Sequence, residues 1–224
     1  MDGLYGVVYS LGHEPSAEGI GTHLTSPMPK SSSDICCQGL ITLLRVLYDV
    51  YLDFENDAPK LVVVSSMGVG QRAFQQLPVL LRLIFSHFLR RELQDKLAME
   101  VVLSQCLVRL STAFRSTRYV PRFFPFPSEV SPSAFPLDAS NSLPRPFLLP
   151  PEVCVVRPAL LTSGSAKGRG RYRVVQEDKI KINAGWWGMY SISREDVGGF
   201  IADLFNPFDD WTSRWWGHQV VLAY

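Results

Sequence analysis

The run Leu61-Val62-Val63-Val64-Ser65-Ser66-Met67-Gly68-Val69-Gly70 constrains the fold more than any other stretch of the chain. Its continuous apolar start leaves no polar face, so it predicts a strand buried on both sides, as in a parallel sheet covered by helices. The run then ends in two hydroxyls and a glycine-spaced turn. That delivers small polar groups to the carboxyl edge of the sheet, where open α/β folds bind ligands. A second run, Val153-Cys154-Val155-Val156-Arg157-Pro158-Ala159-Leu160-Leu161-Thr162-Ser163-Gly164, repeats the logic as an apolar strand that stops at a proline and opens into a Gly/Ser loop. Two such strand ends predict one shared crevice.

A chain of 224 residues supports one substantial core, and a single domain over 1–224 is the expectation. With 22 Lys+Arg against 21 Asp+Glu the formal charge is +1, which gives no bulk electrostatic ground for nucleic acid or an anionic membrane as partner. Lys167, Arg169, Arg171 and Arg173 alternate beside glycines, a pattern of a solvated loop and strand, with a phosphate-binding patch as the sharper alternative. Four cysteines make a poor disulfide framework in a chain this long: Cys36 and Cys37 are adjacent, and Cys106 and Cys154 lie in apolar surroundings and read as small buried hydrophobes. A reduced, cytoplasmic protein is favoured. The apolar runs at 61–64, 77–85 and 153–161 are too short or too interrupted to span a bilayer, and no membrane is expected. His13, His23, His87 and His218 have no ligand-spaced partners, which predicts no metal site.

Along the chain, Leu4 to Gly12 reads as a strand with a glycine turn, and 14–33 as a loop. Ile35, Leu40, Ile41, Leu44, Leu47, Tyr48 and Tyr51 recur at helical spacing, with Asp34 as N-cap. A second helical zone covers Pro78 to Leu110, with a break near 87–91, and brings Leu93, Leu97, Glu100 and Val101 together. It would cross back to the strand at Val153. Residues 111–151 interrupt that crossover with a long irregular insertion rich in Pro, Phe and Ser. Tyr172 to Val175 is a short strand candidate. Ser193 caps a helix whose inward face is Val197, Phe200, Ile201 and Leu204, with an Arg/Asp pair expected to lock its first turn. Gly217 to Tyr224 reads as a last strand at a sheet edge. Trp186, Trp187, Trp211, Trp215 and Trp216 read as packing at the sheet edge, or as a protein interface or substrate wall.

In order, Val62-Val63-Val64-Ser65-Ser66-Met67-Gly68, Asp95-Lys96 with Glu100, Val156-Arg157-Pro158-Ala159-Leu160-Leu161-Thr162 and Ile192-Ser193-Arg194-Glu195-Asp196-Val197 resemble the atypical short-chain dehydrogenase/reductases, in particular the NmrA-like and biliverdin-reductase-B-like branch. The resemblance covers about two thirds of the chain. It implies a partial Rossmann-like parallel sheet with flanking helices, NADP or NAD as cofactor, and a small-molecule substrate. Carried over, Ser65 or Ser66 is the pocket hydroxyl and Lys96 the ribose-contacting or helix-structural lysine. Leu11 and Gly12 end the family's fourth strand, and Arg157-Pro158 is the strand terminus beside the nicotinamide. Ala159 and Leu160 then border the cofactor. A hydroxyl there can donate to a substrate oxygen as charge develops, while the cofactor supplies the hydride chemistry.

The departures from the family are equally specific. The family opens with a strand and a glycine-rich turn that holds the pyrophosphate, and nothing before Leu4 supplies it, which predicts an N-terminally truncated sheet. Position 92 is Glu where the family's acid-base tyrosine would pair with Lys96. The resemblance therefore leaves two readings. One is an NAD(P)-binding oxidoreductase-like protein. The other is a non-catalytic remnant whose exposed sheet flank or tryptophan-rich C-terminal region binds another protein.

Overall fold

The computed structural model describes residues 5–12, 34–54, 59–69, 89–107, 147–148, 152–176 and 190–224. Strand β1 (Gly6–Tyr9) leads to helix α1 (Ile35–Phe54), strand β2 (Lys60–Val64) and helix α2 (Arg90–Gln105). Strand β3 (Val153–Pro158) follows, then β4 (Leu160–Thr162), β5 (Arg173–Gln176) and β6 (Ser191–Ser193). Helix α3 (Arg194–Leu204), the short α4 (Asp210–Ser213) and strand β7 (Gln219–Ala223) complete the described elements. The main sheet runs β1-β2-β3-β7-β5, with β1, β2, β3 and β7 parallel and β5 antiparallel to β7. The expected α/β fold with a mostly parallel sheet and flanking helices is what the chain forms.

Alternation along the inner strands splits the core into two layers. Leu61 and Val63 of β2 and Val153 and Val155 of β3 pack with α1 and α2 on one face. Val62, Cys154 and Val156 pack with Val197, Phe200 and Leu204 of α3 on the other. Burial on both sides explains why these strands are uninterrupted apolar runs. Each fully buried aliphatic side chain contributes about 1.5–3 kcal/mol. Cys36, Cys37, Leu40, Ile41, Leu44 and Leu47 form the inward stripe of α1. Gly39 is required there, because a Cβ would stand 2.5 Å from the Tyr9 hydroxyl.

Three details differ from expectation. The chain does not pass from Pro158 straight into a loop: Leu160–Thr162 forms a second short strand that pairs in parallel with β6. The C-terminal strand is not at an edge. β7 lies between β3 and β5, its Val220 to Ala223 buried, and the antiparallel β5 takes the edge. Arg194 pairs with no aspartate among the described residues; its Nη1 donates to Ser163 Oγ at 2.9 Å. Most of the insertion at 111–151 lies outside the described residues. At its far end Phe147 and Leu148 are buried against the α1/α2 layer, Phe147 packing edge-on to Tyr48 with centroids 5.3 Å apart.

On the α1/α2 face, helix α2 is tied to the sheet by a buried ion pair. Arg157 of β3 and Glu100 of α2 are both 0% exposed, with Nε to Oε1 at 3.0 Å and Nη2 to Oε2 at 2.5 Å. Removing one member of such a pair strands a charge in a dry layer, whereas replacing both with apolar residues does not. Glu100→Ala should therefore cost about 3–5 kcal/mol in urea unfolding. The double variant Glu100→Leu/Arg157→Met should recover most of that loss, and a double variant as unstable as the single would refute the account.

Candidate functional site

The tips of three parallel strands are drawn together at the carboxyl edge. Ser65 N donates to Val156 O at 2.7 Å, Met67 N to Pro158 O at 2.9 Å and Ala159 N to Leu222 O at 2.9 Å, so the ladders continue past the strand ends. Gly68 then takes φ +97°, a left-handed conformation open to glycine. The chain can turn sharply away from the edge at that residue.

Lys96 reaches this edge from α2. Its Nζ stands 3.4 Å from the carbonyl oxygens of both Leu11 and Ser65, bridging the tip of β1 to the tip of β2. Structure thus brings together Leu11, Ser65 and Lys96, with Gly12 and Ser66 adjoining them in the chain. Ser65 is 2% exposed and its Oγ finds no hydrogen-bond partner among the described residues. Ser66 is half-buried, its hydroxyl directed to the Met67 carbonyl at 3.3 Å. At the neighbouring tip Arg157, Pro158 and Ala159 are buried, and the Arg157 guanidinium is engaged by Glu100 inside the α2 layer. Leu160, by contrast, is 61% exposed.

A residue the sequence pattern did not single out as a cap organises the same corner. Asp34 was the expected N-cap of α1, and its carbonyl does accept the first helical bond, from Gln38 N at 2.9 Å. The free amides are nonetheless bound from another helix: Asp95 Oδ2 accepts from Cys36 N and Oδ1 from Cys37 N, each at 2.9 Å. A negative carboxylate at a helix N-terminus is favoured by the aligned peptide dipoles. Tyr9 adds a 2.6 Å bond from its hydroxyl to Cys36 O. Burial, then the nearby Asp95 carboxylate, pushes the Cys36 thiol up to about 11. Cys37 rises to about 12 by the same two causes, so neither thiol is a nucleophile at neutral pH. All four cysteines are free and buried, Cys106 and Cys154 as expected.

Beyond β4 the segment 163–171 forms a strap without a buried residue. Polar contacts alone fasten it to α3. Glu195 Oε2 accepts from Ala166 N at 2.8 Å, and Asp196 accepts from the amides of Lys167 and Gly168, each at 2.9 Å. Asp196 also receives the hydroxyls of Ser193 at 2.8 Å and Tyr224 at 2.5 Å, while Ser193 Oγ caps the helix by accepting from Asp196 N at 3.0 Å. Lys167 Nζ lies 3.5 Å from the Tyr224 ring centroid. Burial raises the Asp196 pKa, but the bonds from Tyr224, Lys167, Ser193 and Gly168 outweigh it and bring the group down to about 2. Nearby, Trp211 packs edge-on to Phe200 and Trp215, and Trp216 to Phe205, the packing reading of these tryptophans; Trp186 and Trp187 lie outside the described residues. Among the described residues no group of His, Cys, Asp and Glu could hold a metal ion, and no helix is long and apolar enough to cross a membrane.

No family model and no curated protein matches the chain. Among solved structures it is similar to a short-chain dehydrogenase/reductase (wide type) from Veillonella parvula in complex with NADP, at 11% identity, TM-score 0.44, over 82% of this chain and 58% of that one. It is also similar to the oxidoreductase ylbE from Lactococcus lactis, at 12% identity, TM-score 0.43, over 88% of this chain and 58% of that one. The chain thus spans less than two thirds of the length of these structures. A likeness this distant bears on neither activity nor cofactor.

Asp196 gives the site a defined acid response. A carboxyl whose folded pKa is lowered contributes stability above its ordinary value and loses it as the pH falls. The window therefore runs from 3.8 down to about 2. Thermal unfolding across this window should show Asp196→Asn less dependent on pH than the parent chain. Equal acid limbs would show that another carboxylate carries the effect.

Proposed function

We propose that this chain is an NAD(P)-binding, oxidoreductase-like protein whose ligand lies against the carboxyl edge of β1, β2 and β3. The observation that supports the reading is the placement of Lys96: a cation held between two strand tips, beside the buried and unpartnered Ser65 hydroxyl. Open α/β sheets bind ligands outside the carboxyl ends of their strands. A nicotinamide cofactor would supply the hydride. In this reading Lys96 holds a ribose hydroxyl and adds positive potential. Ser65 or Ser66 donates to an oxygen on which charge develops. Leu11, Gly12, Pro158, Ala159 and Leu160 line the cofactor with backbone and apolar surface. Arg157 acts through Glu100, fixing the helix that carries Lys96. In this reading the chain is of the NmrA-like branch, takes a small molecule of unassigned class as substrate and works in the cytoplasm.

A second reading is favoured by the β1 flank of the sheet. β1 pairs only with β2 among the described strands, and Val8 on it is 46% exposed, beside the exposed Tyr5 and Leu11. Ile35, Val46 and Val50 of α1 are exposed as well. In this reading the chain is a non-catalytic relative that binds another protein there.

Titration with NADPH, followed by nicotinamide fluorescence, separates the two. Saturable binding in the micromolar range supports the first, and Lys96→Met should weaken it at least ~10-fold, about 1.4 kcal/mol, with the circular dichroism unchanged. A flat response from a folded, monodisperse sample overturns it.

A further inference from the structure

Away from the strand tips, Gly168-Arg169-Gly170-Arg171 sits at the outer turn of the strap. Gly168 and Gly170 adopt φ +85° and +89°, and a Cβ built on either meets nothing within 4 Å. The side-chain positions of both glycines thus face open space, where the wall of a second molecule can close, while the Gly168 amide stays bound to Asp196. The two arginines are held very differently. Arg169 is clamped: Nη1 and Nη2 donate to Asp209 Oδ2 and Oδ1 at 2.6 and 2.8 Å, and its guanidinium lies 4.5 Å from the Trp211 ring centroid. The Arg171 side chain is exposed and makes no hydrogen bond, ion pair or ring contact among the described residues.

We propose that this turn is an arginine-methylation site, with Arg171 the open acceptor and Arg169 an acceptor guarded by Asp209 and Trp211. A guanidinium nitrogen of Arg171 attacks the methyl carbon of a sulfonium donor such as S-adenosylmethionine. The nitrogen–carbon bond forms as the carbon–sulfur bond breaks, the electron pair stays on sulfur to leave a neutral thioether, and the nitrogen's proton passes to solvent. The positive charge is kept. Methylation of Arg171 changes no contact of the fold, whereas methylation of Arg169 removes donors from a two-pronged bond to a carboxylate. Asp209 also caps α4, accepting from Trp211 N at 3.0 Å, so loosening Arg169 frees the outer end of the strap from α4. The proposal does not rest on the dinucleotide reading.

The test uses the full chain, an arginine methyltransferase that accepts glycine-flanked arginine, and S-adenosylmethionine labelled in the methyl group, with peptide mapping by mass spectrometry. Label should enter Arg171 at least tenfold faster than Arg169. In Asp209→Asn, which keeps a capping oxygen, Arg169 should rise to within about twofold of Arg171. Arg173, exposed on β5 and without a preceding glycine, is the internal control. Labelling of Arg171 no faster than Arg173, or equal labelling of Arg169 and Arg171 in the parent chain, would overturn the proposal. Should Asp209→Asn fail to fold, Trp211→Leu removes the other guard and is read by the same ratio.

Discussion

The placement of Lys96 and Asp95 depends on how α2 is seated. Its Glu100 is locked to Arg157 in the dry layer between helix and sheet, and that contact sets the rotation of the helix about its axis. Lys96 is one turn earlier, on the same side of the helix, and so arrives at the carboxyl edge over the tips of β1 and β2. Asp95, its neighbour, is rotated toward α1 and takes two of that helix's free amides. One helix thus joins three strands and the start of another helix through three charged residues. A buried ion pair is a poor source of net stability. Its effect here is register, because a helix with an apolar stripe alone could slide or roll by a residue at small cost.

Much of this was legible from the residue pattern. The double-sided strands at 60–64 and 153–158 announce themselves as apolar runs, and the helix at Ile35–Phe54 shows a regular inward stripe. Ser193 carries its capping chemistry locally, three residues from its partner amide. What escaped the pattern is non-local. Asp95 caps a helix whose amides are 58 and 59 residues away, and no window of sequence reveals a carboxylate arriving from elsewhere. The C-terminal strand looked like an edge because short terminal strands commonly are. Its four successive buried residues, Val220 to Ala223, were the available sign that neighbours lie on both sides.

The stretch after Pro158 shows the same limit in a different form. Proline ended the β3 run as expected from its missing donor, yet the chain resumed pairing at once with β6. That small two-stranded sheet fixes the start of the strap, and the buried Tyr172 with β5 fixes its end. The strap is then held by carboxylates at the first turn of α3, where helix dipoles already favour negative charge. Glu195 and Asp196, which read from sequence as dipole-compensating acids, also bind three amides of the strap. The same residues serve a local rule and a tertiary one, and only the local role can be read from spacing.

The two flanks of the sheet are built on unequal terms. From β3 through β7 to β5 the sheet is finished, closed by an antiparallel strand and covered by Trp215, Tyr172 and α3. Among the described strands the parallel ladder ends at β1 with Val8 exposed, although a parallel strand is ordinarily buried on both faces. The tips of β1 and β2 are nevertheless the ones Lys96 joins, so the organised polar corner lies beside the uncovered strand rather than in the finished half. Any ligand that uses Lys96 and the Ser65 hydroxyl therefore meets ordered groups on the β2 and β3 side and apolar, exposed surface at Leu11 and Val8 on the other.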